Sequence, residues 1–206
     1  MNYVASFSIG LVVAFTTTLL PGLINMTIAK VSLNEGKSKA LTLSLGASFV
    51  VFFQAFIATL FGKFLDQRAD ISHLIQRVAI VIFLLISVYF FFFAGKAKVE
   101  DKRVVLKDKK GYFLSGMLLS LINLFPIPFY VVLSVTLSAY NWFSFEKMFL
   151  GMFALGASSG AMLAFYGYTV FIQRIESRTD FFMKNVNYLI GSITFIIALI
   201  GVIKLI

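Results

Sequence analysis

The chain has no cysteine, one histidine, one tryptophan, three prolines and only nine acidic residues among 206. Without cysteine there are no disulfides, no thiolate metal ligands and no thiol redox chemistry. The single histidine, His73, lies in a polar stretch near Asp70, and a lone surface histidine is more often inert than a proton sensor. No Asp or Glu falls inside an apolar run. Membrane proton relays and cation sites generally use such carboxylates, so a dedicated divalent-cation carrier is disfavoured. No metal-ligand cluster, nucleophile–base set or phosphate loop is visible, so neither an enzyme nor a bound cofactor is expected.

What remains is apolar. Hydrophobic residues make up 60% of the chain and charged residues 13%, and the mean hydropathy is +0.94. A soluble domain of this size has too little interior to hide that much apolar surface. The net charge of +9 comes from lysines and arginines placed between apolar runs. That placement implies orientation in a lipid bilayer rather than nucleic-acid binding. Residues Met1 to Ala5 lack the basic start of a secretory signal peptide, so the first run is expected to be a retained span.

Six stretches reach the length a bilayer core demands: Tyr3 to Ala29, Ala40 to Leu65, Val78 to Ala94, Tyr112 to Ser138, Phe149 to Ile172 and Val186 to Ile203. The aromatic run Phe90 to Phe93 is expected to face lipid or headgroups, and the polar segment Asp66 to Gln76 to lie along the surface. Loops after spans 1, 3 and 5 carry 13 basic residues against 5 on the opposite side. The positive-inside rule then puts both termini outside a cytoplasmic (inner) membrane, with the basic linker 96–110 as the main cytoplasmic connection.

The two halves, 1–95 and 111–206, resemble each other. Leu19-Leu20-Pro21 matches Leu124-Phe125-Pro126, and Leu45-Gly46-Ala47-Ser48 matches Leu155-Gly156-Ala157-Ser158. Three spans per half is an odd number, so the second half enters from the opposite face. The expected fold is therefore an all-α integral membrane protein in a single polytopic domain, with six transmembrane helices as two inverted three-helix repeats. Helices 1 and 4 are broken by proline, since proline removes a backbone hydrogen bond and clashes with the preceding turn. Inside lipid such breaks persist only where protein groups or a cavity satisfy the freed carbonyls. Paired broken spans point to a transporter's central site.

Candidate binding residues cluster at these breaks: Thr17, Thr18, Pro21, Gly22 and Asn25 at the first, Asn123 and Pro126 at the second. Freed carbonyls attract an ammonium group, and a restarting helix points N–H groups at a carboxylate. A zwitterion such as an amino acid carries both. Thr16 and Ser120 flank the breaks and can equally serve as hydrogen-bond fillers. Gln54, in mid-span 2, needs a partner for its amide, on a neighbouring helix or in a cavity. Gly156, Gly160 and Ala164 form a small-residue stripe suited to close helix packing, within the monomer or in a homodimer. Glu35 and Glu146 sit at span edges, where capping and solvation are the simplest roles.

The chain resembles the LysE/RhtB family of bacterial amino-acid exporters (LysE-type translocators). The likeness rests on Pro21-Gly22, the turn Gly36-Lys37-Ser38-Lys39-Ala40, Leu45-Gly46, and Phe113, Gly116, Asn123 and Pro126. Leu23 stands where that family's first motif has a second proline, and Asn123 and Pro126 are separated rather than adjacent. The resemblance implies export of amino acids or similar small metabolites, with protons as the coupling ion. The alternatives are an ion or metal exporter on a related scaffold, or a non-transporting membrane scaffold or assembly protein.

Overall fold

The computed structural model describes residues 2–19, 22–67, 109–139 and 141–205, together with 80–81, 84–85, 87–88 and 91–92. Among the described residues the fold is all helical, with six helices and no strand. They are α1 (Tyr3–Thr18), α2 (Leu23–Glu35), α3 (Lys37–Asp66), α4 (Lys109–Ile122), α5 (Pro126–Ala139) and α6 (Lys147–Leu205).

Two helical stretches are by themselves long and apolar enough to cross a bilayer, Lys37–Asp66 and Lys147–Val170. Two bent pairs add up to two more: α1 with α2, at 75°, and α4 with α5, at 61°. These correspond to expected spans 1, 2, 4 and 5. Most of expected span 3, the surface segment with His73 and the linker 96–108 lie outside the described residues. A polar connection was expected between spans 5 and 6, but α6 stays helical from Lys147 to Leu205. The reason is local: Gln173 to Val186 contains neither glycine nor proline, so no strong helix breaker interrupts it.

The chain divides into two compact units. One comprises Met1–Lys63 and Val99–Ser177, the other Phe64–Lys98 and Arg178–Ile206. In the second, Ser87 Oγ donates to the Gly191 carbonyl at 2.9 Å, and Phe91 packs on Gly191 and Tyr188. Phe92 is 79% exposed.

The first unit is built on two backbone-close crossings. A methyl on Gly46 of α3 would collide with the Phe113 carbonyl of α4, and one on Gly116 of α4 with the Leu43 carbonyl of α3. Likewise Gly156 of α6 abuts the Phe7 carbonyl of α1, and Gly10 of α1 the Phe153 carbonyl of α6. These are the same contact made twice. Phe7 and Gly10 precede Phe113 and Gly116 by 106 positions; Leu43 and Gly46 precede Phe153 and Gly156 by 110. Gly160 adds a further close approach to Leu11 and Phe15 in the α1–α6 crossing. Helices that cross a bilayer have no hydrophobic drive toward one another and associate through such contact. Helices α3 and α6 meet where Ser158 Oγ donates to the Ser48 carbonyl at 2.8 Å, and these two serines are also 110 positions apart.

Candidate functional site

The second break shows what its prolines do. Pro126 and Pro128 lack the N–H groups that would serve the carbonyls of Ile122 and Leu124, four residues earlier. Those carbonyls take local substitutes instead, Leu124 N–H at 3.0 Å and Ile127 N–H at 3.2 Å. Leu124 N–H is thereby diverted from its helical partner, the Ser120 carbonyl. Gln54 closes the gap: its Nε2 donates to the Ser120 and Asn123 carbonyls, each at 2.9 Å. Helix α5 then starts on Pro126, a first-turn position where a missing N–H costs nothing.

The first break is closed by other means. Asn25, buried in α2, donates Nδ2 to the Thr18 carbonyl at 2.7 Å. Tyr168 of α6 donates its hydroxyl to the Leu19 carbonyl at 2.8 Å. Each break is therefore capped by the helix that crosses it, α3 for α4 and α6 for α1. The caps stand one turn apart in the matched halves: the position equivalent to Gln54 is Ala164, four residues before Tyr168. The longer tyrosine spans the extra turn.

The expected site residues fall into distinct groups. Asn25 and the Thr18 carbonyl meet at the first break; Gln54, Asn123 and Pro126 meet at the second. Thr17 is engaged within its own helix, its hydroxyl donating to the Val13 carbonyl at 2.9 Å. Thr16 does the same toward Val12 at 2.8 Å. Gly22 is the N-cap of α2 in an extended conformation and supplies no side-chain cap. Pro21 lies outside the described residues. The Asn123 side chain is exposed, flanked by exposed Leu121, Ile122 and Leu124; only its carbonyl helps close the break. Tyr168 was absent from the sequence expectation, because nothing local links it to a break 149 residues away.

Two polar atoms at the second break have no partner. Gln54 Oε1 and Ser120 Oγ are both buried without a hydrogen bond, on residues 4% and 1% exposed. An unpaired buried polar group costs about 1–3 kcal/mol. Natural interiors rarely leave such atoms unsatisfied.

A third cluster joins α2, α3 and α4. Glu35 ends α2, where a carboxylate opposes the helix dipole. Its Oε2 is paired with Lys39 Nζ at 3.2 Å and accepts the hydroxyl of fully buried Tyr112. Lys39 Nζ lies 5.3 Å from the centre of the Tyr112 ring. Gly36, at φ +95°, makes the tight turn between α2 and α3 that a side chain would strain. Tyr112→Phe removes a donor to a charged acceptor and is expected to cost about 1.5–3 kcal/mol. The unfolding midpoint in detergent should fall by about 4–8 °C, and an unchanged midpoint would show that Glu35 does not need this partner.

An open depression of about 420 Å³ is lined by Thr42, Lys109, Lys110, Phe113 and Leu114, and holds none of the expected site residues. Among the described residues no three of His, Cys, Asp and Glu gather as a metal site would require. No protein-family model matches the chain, and no curated protein or solved structure matches it.

Proposed function

We propose that the chain is a secondary transporter exporting amino acids or similar small zwitterionic metabolites across a bacterial cytoplasmic membrane. One observation carries this: two bent helix pairs whose freed carbonyls are capped by matched crossing helices. The duplicated contacts of Gly46 with Phe113 and Gly156 with Phe7 support an inverted repeat, with a pseudo-twofold axis near Ser48 and Ser158. Six spans with both termini outside would further require a reversal between Ile172 and Val186, where α6 is instead continuous. The solute binds between the repeats, where the second lone pairs of the capped break carbonyls face an ammonium and the N–H groups at the start of α2 face a carboxylate. Rocking one repeat against the other exposes the site to alternate sides. The motifs shared with the LysE/RhtB family favour amino acids as the solute and protons as the coupling ion.

Cells with and without the gene are compared by metabolite profiling of spent medium. A rise in one or a few extracellular amino acids is expected; identical profiles would overturn the proposal. Asn123→Leu refines the test, because that side chain is not among the groups that close the break. Losing one hydrogen bond to the solute should lower efflux about tenfold, with the unfolding midpoint unchanged. Full efflux by the variant would remove Asn123 from the site.

A further inference from the structure

The geometry points to a binding subsite for a compact monovalent cation at the α4 break, formed by Gln54 Oε1 and Ser120 Oγ. Its assignment to transport rests on the function proposed above, but the binding itself does not. Gln54 is held in one orientation because both Nε2 hydrogens are committed to the Ser120 and Asn123 carbonyls. Its Oε1 is consequently a fixed acceptor that cannot be exchanged for a donor by rotating the amide. Ser120 Oγ is also without a partner, and a hydroxyl has two lone pairs to offer. Both oxygens lie in the last turn of α4 or against it, where the helix dipole is negative and favours positive charge.

The ligand chemistry follows from this donor set. Two neutral oxygens and a helix C-terminus suit a singly charged group. A divalent ion would call for carboxylates, and none lies within the apolar part of any expected span. Two sources share this chemistry, the protonated amine of the transported solute and a free alkali ion. Both oxygens are sealed in this conformation, so the cation enters as the Asn123–Phe125 break opens. A water molecule bridging the two oxygens is the competing occupant.

The test uses the purified full-length protein in detergent and reads its unfolding midpoint in equal concentrations of sodium chloride, methylammonium chloride and choline chloride. Choline, too bulky for the site, is the ionic-strength control. Sodium or methylammonium should raise the midpoint by about 3 °C or more over choline. A response to methylammonium alone assigns the subsite to a solute amine; a response to sodium assigns it to a free alkali ion. Ser120→Ala should fold at least as well as the wild type in choline, since it deletes an unpaired buried hydroxyl, and should lose most of the cation response. Ser120→Cys, whose thiol is a poor ligand for hard cations, should lose it too. Equal midpoints in all three salts, or a full response in both variants, would overturn the subsite. Export by wild-type cells without any cation response sinks the subsite alone. A cation response without export sinks only the transporter reading.

Discussion

Gln54→Leu is expected to lower the unfolding midpoint by about 6–12 °C, one of the two largest effects of any single substitution anticipated for this chain. Leucine keeps the volume but removes the Nε2 donors that satisfy the Ser120 and Asn123 carbonyls. Each carbonyl left unpaired in an apolar interior costs about 1–3 kcal/mol. The loss is partly offset, because the substitution also deletes the unpartnered Oε1. A net cost of about 2–4 kcal/mol remains. In a bilayer no water replaces the missing donors, so yield in membranes should fall along with the midpoint. A midpoint within about 2 °C of the wild type would mean that the break satisfies its carbonyls without α3.

The second large effect concerns the two helix crossings. Gly46→Ala, Gly116→Ala, Gly10→Ala and Gly156→Ala each place a methyl against a backbone carbonyl of the facing helix. Backbone cannot rotate away as a side chain can, so the helices must separate and lose contact along the crossing. Overpacking of this kind costs about 1–3 kcal/mol, or more when the obstacle is rigid. Gly151→Ala and Gly167→Ala provide the contrast, since nothing lies within 4 Å of a methyl at either position. There the change should be neutral or stabilising, by up to about 1 kcal/mol of helix propensity. Thermal unfolding of the six variants checks both halves of the expectation. Because the crossings are equivalent contacts, Gly46→Ala and Gly156→Ala should do similar damage. A crossing variant as stable as Gly151→Ala would show that its helix pair is not in contact at that point.

The breaks were legible because proline acts locally. Pro126 and Pro128 delete N–H groups at known positions, and the carbonyls that lose partners can be counted from the sequence. The duplicated helix crossing was half legible. The identity between Leu45-Gly46-Ala47-Ser48 and Leu155-Gly156-Ala157-Ser158 is visible by eye. The equivalence of Phe7 and Gly10 with Phe113 and Gly116 is not, because two residues at a spacing of three are too common to stand out. It emerges once both glycines are found against matching carbonyls. The small-residue stripe likewise announced close packing, but not that α1 lies against it.

The amino-acid sequence by itself determined that the chain is apolar and helical, that its helices break at two matched places, and that Gln54 needs a partner. Each of these follows from composition, from proline's missing hydrogen, or from the cost of an unpaired amide. The tertiary structure alone decided who answers those needs. The donors that close the breaks include Gln54, 66 and 69 residues from its carbonyls, and Tyr168, 149 residues from Leu19. Hydrogen bonds over such separations are chosen by which helices cross, and that choice depends on where backbones can touch.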